Sequence, residues 1–318
     1  MQRNERAKQW GKYADLIDDE TWDFIDKTNA SYPENAVKLL STEQRKLYDT
    51  MCEQFWAPHP PGVVTSNSGI ETTTHTIPIR HYHLEGLEPK AQILYFHGGG
   101  FLVGGLQSHD DVCAELCAAT GFVVTSVDYR LAPKHIFPAA HEDAVAAFNF
   151  VTTESRLIPV ILAGDSAGGN LAASVAHATR EFAVKPIGQV LIYPGLTHDL
   201  SSQSYVEHAN APELSTEDVE FYRELVTGGI DYSKNPKCAP LGDSDFSGLP
   251  TTYTFGAACD PLLDDSRIYC EKINAAGGEA YFTGEEGLVH GYLRARHSVK
   301  RASDSFKRII KACKALER

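Results

Sequence analysis

The sequence predicts an α/β fold, with a mostly parallel central sheet flanked by helices on both faces and a helical cap. Three observations carry this. From Thr74 onward, short continuous apolar runs alternate with longer helical patterns, as strands buried on both faces require. Two of these runs end directly in glycine-rich turns, His97-Gly98-Gly99-Gly100 and Gly164-Asp165-Ser166-Ala167-Gly168-Gly169. Two long stretches stand outside the alternation: the first sixty residues, and nearly sixty more between Tyr193 and Thr251.

The elements follow in order. The N-terminal stretch is helical and amphipathic, with Trp10, Tyr13, Ile17, Trp22, Phe24 and Ile25 as its apolar members, then Leu47, Met51, Phe55 and Trp56 at helical spacing. Pro58, Pro60, Pro61 and Gly62 break the chain. Strands are predicted at 74–84, 91–96, 121–127, 160–163, 187–193, 251–255 and 279–282. Helices are predicted between or after them at 107–119, 138–152, 168–182, 262–275 and 298–316. Within the long insertion, Ser215 with Asp218 three residues later marks a helix start with a capping box. An insertion of this length usually has its own role. The organisation expected is therefore a single domain over 1–318, with a cap formed by about 1–60 and about 197–235. The run 279–282 is expected to leave an open sheet edge, compatible with a monomer or a homodimer.

The 318 residues carry 42 acidic against 29 basic side chains, a formal charge of −13. Nucleic-acid binding needs a basic face to displace counterions, and no basic run exceeds Lys300-Arg301. Stable association with an anionic membrane is disfavoured for the same reason. A composition of 42% hydrophobic and 22% charged residues is that of a folded globular chain, not a disordered one. No apolar segment follows Met1 to Lys8, and the seven cysteines include no Cys-x-x-Cys pair, which predicts a cytoplasmic protein with reduced thiols. Cys113 and Cys117 lie four apart on a predicted helix and read as small core residues rather than metal ligands.

Ser166 is the candidate nucleophile. A side chain presented on a strand-to-helix turn crowds its neighbours, and glycines two before and two after relieve that crowding. Such a pattern arises by chance in this composition with a probability of roughly 0.1, so the flanking strand and helix carry the argument. His97-Gly98-Gly99-Gly100 is rarer, at roughly 0.006, and its glycines expose backbone N–H groups suited to an oxyanion. A phosphate loop is the competing reading, but no Gly-Lys-Ser/Thr follows.

A serine needs a base, and the base an acid that fixes its tautomer. Downstream of Ser166 stand four histidines: His198, His208, His290 and His297. His290 sits in a turn after the last predicted strand and is the expected base. Asp260, in the loop after the run 251–255, is the expected acid, ahead of Asp264 and Asp265 on the following helix.

Together with Tyr129-Arg130-Leu131-Ala132-Pro133, Asp260-Pro261-Leu262 and His290-Gly291-Tyr292, these two glycine-rich motifs resemble the signatures of the hormone-sensitive-lipase-like esterases of the α/β-hydrolases, across nearly the whole chain. The resemblance extends to the acetyl esterases within that family. It implies an α/β-hydrolase sheet with a helical cap and hydrolysis of short-acyl esters without a cofactor or metal. It also implies Ser166 as nucleophile, Asp260 as acid and His290 as base, with the N–H groups of Gly98, Gly99 and Ala167 as oxyanion donors. The chain departs from the family at Lys134, where glutamate is common; that bears on a structural ion pair, not on the triad.

The expected partner is a small-molecule ester. Two other readings compete. A lipase for longer chains would need an openable apolar lid, for which Trp22, Phe55 and Trp56 are candidates, although they equally suit a cap core. A non-catalytic ligand-binding or regulatory protein on the same scaffold is disfavoured by the complete triad.

Overall fold

The computed structural model describes residues 3–33, 36, 39–154 and 158–317. Eight strands form one sheet: β1 (Val63–Glu71), β2 (Thr76–Leu84), β3 (Gln92–Phe96), β4 (Val123–Val127), β5 (Val160–Asp165), β6 (Gly188–Ile192), β7 (Thr251–Cys259) and β8 (Ala280–Val289). Their spatial order is β1-β2-β4-β3-β5-β6-β7-β8. β1 and β2 pair antiparallel, as do β2 and β4, and all other neighbours are parallel.

The period of two along the strands divides the core into two layers. Ile93 and Tyr95, Ile161 and Ala163, and Val190 and Ile192 face one side, packing with α5 (Asp110–Thr120) and α11 (Lys300–Ala315). Leu94 and Phe96, Val160 and Leu162, and Leu191 face the other, against α6 (Ala139–Glu154), α7 (Ala167–Thr179) and α10 (Leu263–Ala275). Each such side chain contributes roughly 1.5–3 kcal/mol by leaving water. This two-sided burial is why these strands read as unbroken apolar runs.

The predicted elements appear with shifted ends. The strand expected at 251–255 continues to Cys259, so Asp260 follows it directly. The strand expected at 279–282 continues to Val289; its polar middle, with Glu285 paired to Arg308, hid it from a search for apolar runs. β1 was not expected at all. It is exposed except at Val63 and Ile70, and is held by main-chain pairing to β2 over nine registered positions. β8 ends the sheet on the other side.

The N-terminal stretch forms α1 (Arg3–Trp10), α2 (Tyr13–Leu16), α3 (Asp19–Asn29) and α4 (Ser41–Glu53). Gly11 at φ +52 ends the first, and Asp18 caps the third by accepting from Thr21 N at 2.9 Å. The insertion supplies α8 (Gln203–Glu207) and α9 (Thr216–Thr227), the latter opening with the expected Ser215/Asp218 capping box. These two groups meet: Lys12 Nζ donates to Glu207 O at 2.8 Å, and the Tyr13 hydroxyl lies 3.1 Å from His208 Nδ1. α8 is also tied to the start of α10, where Ser204 Oγ donates to Pro261 O at 2.6 Å and Ser204 N to Asp264 at 2.9 Å.

Arg130 is held without a glutamate at 134. Its guanidinium and its backbone N–H all bond Asp143, at 2.8–3.0 Å. Lys134 itself is exposed.

Candidate active site

β5 ends at Asp165, α7 begins at Ala167, and Ser166 between them takes φ 53 and ψ −118. Few non-glycine residues adopt that conformation. It lifts the hydroxyl off the sheet, while Ser166 N donates to Ile192 O at 2.8 Å. The flanking glycines are sterically required: a Cβ on Gly168 would sit 1.9 Å from Phe96 O, and one on Gly164 would sit 2.4 Å from Gly168 C. The helix therefore starts hard against β3.

Two further strands end at the same edge. Asp260 follows β7 and is fully buried; His290 follows β8 and is partly open. His290 Nε2 lies 2.9 Å from Ser166 Oγ, and Nδ1 lies 2.7 Å from Asp260 Oδ2. Asp260 Oδ1 accepts from Leu262 N at 2.9 Å, which fixes the carboxylate plane. The Tyr193 ring, 4.8 Å from the imidazole centroid, supports its other side.

The other candidates are engaged away from the serine, although His198 lines the same cavity. His198 sits against Cys238, His208 against Tyr13, and His297 against Glu115 at 2.7 Å. Asp264 pairs with Arg267, and Asp265 accepts from Leu196 N and Thr197 N. None of these bonds Ser166.

The glycine loop requires one correction. Gly98 N–H donates to Asp165 Oδ1 at 3.0 Å inside the protein, so it is not available to an oxyanion. Gly99 and Gly100, at φ +116 and +58, line the cavity above Ser166. Their N–H groups, and that of Ala167 at the first position of α7, take no part in the turn, loop and cap hydrogen bonds of the described residues. The outward pair is Gly99 and Gly100, not Gly98 and Gly99.

Asp165, beside the nucleophile in the serine motif, has a role that the sequence does not predict. It accepts from Tyr95 OH at 2.8 Å as well as from Gly98, and lies 3.2 Å from His109 Nε2. Burial alone would raise its pKa, but the His109 imidazole and these donors hold it down to about 2. A charged residue closing a wholly apolar strand was the available signal. Next to it, burial drops His97 to about 3, so its neutral ring stacks on Tyr129 at 4.2 Å with Nδ1 donating to Gly98 O.

Over this floor lies a cavity of about 450 Å³, lined by Ser166, His290 and Gly99 from below and by residues of α3, α4, α8 and α9 from the sides and above. Arg45 of α4 secures one wall, with Nε donating to Leu102 O at 2.8 Å. Among the described residues, no helix is long and apolar enough to cross a membrane.

Comparison with known proteins agrees with this geometry. The family model for the alpha/beta hydrolase fold matches residues 93–294. The carboxylesterase NlhH of Mycobacterium tuberculosis is 36% identical over 231 residues, 70% of this chain and 72% of that protein. An acetyl esterase of Salmonella agona is 26% identical over 271 residues, 83% of this chain and 84% of that one. Among solved structures, an ester-hydrolase from the metagenome of Lake Arreo has a TM-score of 0.87 at 29% identity, covering 94% of this chain and 99% of that one. An esterase from the bacterial hormone-sensitive lipase family has a TM-score of 0.84 at 26% identity, covering 95% and 99%. With its serine turn, its sheet order and these relatives in agreement, the chain belongs to the α/β-hydrolase fold family, and within it to the carboxylic ester hydrolases.

Proposed function

We propose that this chain hydrolyses short-chain esters, acetyl to butyryl, through an acyl-enzyme on Ser166. The observation that carries the reading is the hydrogen-bonded line Ser166–His290–Asp260 at the floor of the cavity. His290 Nε2 takes the Ser166 proton as Oγ attacks the ester carbonyl, while Asp260 holds Nδ1–H and stabilises the imidazolium. The N–H groups of Gly99, Gly100 and Ala167 receive the oxyanion; one such donor is worth about 3–4 kcal/mol. His290 then gives its proton to the departing alcohol. Water repeats the sequence on the acyl-enzyme, releasing the acid and restoring the Ser166 hydroxyl.

Residues 1–60 and 197–235 act as a cap on a single domain in this reading, supported by their contacts with each other and by their share of the cavity wall. The substrate is a small ester reaching the site from water. Seven buried free thiols support a reducing, cytoplasmic setting. The protein works as a monomer or homodimer, with the β8 edge available for pairing.

Ser166→Ala is expected to lower the rate on p-nitrophenyl acetate by roughly 10⁴-fold or more. Most of the activity surviving would refute the nucleophile. A series from acetyl to palmitoyl esters should peak at or below butyryl; a maximum at long chains would make the enzyme a lipase.

A further inference from the structure

One end of the cavity holds a side-chain pair that the proposed mechanism does not use. Arg294, one turn beyond His290, has its guanidinium against Gly291, where an added Cβ would lie 2.6 Å from it. It has no carboxylate in ion-pair range among the described residues. Among the described residues its Nη1 donates to the Tyr48 hydroxyl at 3.3 Å, its guanidinium lies 5.6 Å from the Tyr48 ring, and its Nε is buried without an acceptor. Glu213 faces the same cavity from the segment before α9. It takes φ +71, a conformation that costs free energy for a long side chain, and its Oε1 is buried without a donor. Buried polar groups are normally bonded, so two unsatisfied ones in one substrate cavity call for a ligand.

The chemistry of the pair selects that ligand. A carboxylate would satisfy Arg294 but could bond Glu213 only in its protonated form. An ammonium would satisfy Glu213 but meet Arg294. A hydroxyl both donates and accepts, so adjacent hydroxyls satisfy the two together. Burial also pushes the Glu213 carboxyl up to about 8 against the pull of Arg294, so both of its forms occur near neutral pH, and a hydroxyl can bond either one. Tyr48 and Tyr222 add ring faces and hydroxyls to this end.

We propose that Arg294 and Glu213 are specificity-determining residues that bind the hydroxylated part of the ester, making acylated polyols or sugars the preferred substrate class. This rests on the esterase reading above and adds the substrate to it.

The test compares kcat/KM for glycerol 1-monoacetate and propyl acetate, which differ in their hydroxyls, in the wild type and in Glu213→Met and Arg294→Met. The wild type should favour the monoacetate by about tenfold or more. Each variant should lose most of that preference, chiefly through KM. Among the described residues the Glu213 Oε1 has no hydrogen-bond partner, so Glu213→Met remains informative if Arg294→Met fails to fold. A wild-type ratio near one, or a ratio unchanged in Glu213→Met, overturns the proposal. So does a wild-type preference for monomethyl succinate over methyl butyrate, which would assign Arg294 to an anion. Turnover of p-nitrophenyl acetate, measured alongside, separates these failures from failure of the esterase reading, which would abolish it in the wild type.

Discussion

Replacing Asp165 by asparagine changes one atom and one charge where the serine turn meets the glycine loop. The carboxylate is wholly enclosed, accepts from Tyr95 OH and Gly98 N, and faces His109 Nε2. Its pKa is lowered from 3.8 to about 2, a gap worth on the order of 2 kcal/mol of folding free energy. Because the folded value lies below the unfolded one, that stabilisation is present above the ordinary carboxylate range and is lost as pH falls through about 4 toward 2. Asparagine keeps one oxygen but buries an NH₂ group against His109 without an acceptor, a separate desolvation cost of about 1–3 kcal/mol. The expected loss is about 3–5 kcal/mol at neutral pH. Urea titrations of both proteins measure it, and the difference should shrink as the pH is lowered from about 5 to about 3. Because Gly98 leads directly into Gly99 and Gly100, kcat on p-nitrophenyl acetate should fall by about tenfold or more, with a smaller change in KM. A variant as stable as the wild type, or a stability difference independent of pH, would refute this account of Asp165.

Other substitutions test the surroundings. Gly168→Ala forces a Cβ to within 1.9 Å of Phe96 O, a backbone atom that cannot swing away, and should cost about 3 kcal/mol or prevent folding. Gly284→Ala meets only the Phe282 ring at 3.5 Å and should stay within about 0.5 kcal/mol, both variants being measured by the same urea titrations. Asp143→Ala strips Arg130 of its main partner and should destabilise by about 3–5 kcal/mol, whereas Lys134→Glu on the exposed surface should stay within about 0.5 kcal/mol.

The central strands were legible because burial on both faces writes itself as apolar runs, and the glycine motifs because steric crowding admits no other residue. β1 was not legible: seven of its nine residues are exposed, and its stability comes from main-chain bonds that leave no hydropathy pattern. The outer half of β8 was hidden in the same way by Gly284, Glu285 and Glu286. Ser166, Asp260 and His290 could be nominated because each follows a strand at the same sheet edge. The order of the glycines could not, since which N–H turns inward depends on Asp165, sixty-seven residues away. Arg294 and Glu213 carry no local signal; the chain fold alone brings them to one cavity.

In the proposed mechanism Ser166 carries the acyl group. Incubating the protein with diethyl p-nitrophenyl phosphate and mapping the modified peptide by mass spectrometry tests it directly. One diethyl phosphoryl group should appear on Ser166 in step with loss of activity, and labelling should be absent from Ser166→Ala. Inactivation with Ser166 unmodified, or stoichiometric labelling of another residue in step with the loss, would contradict it.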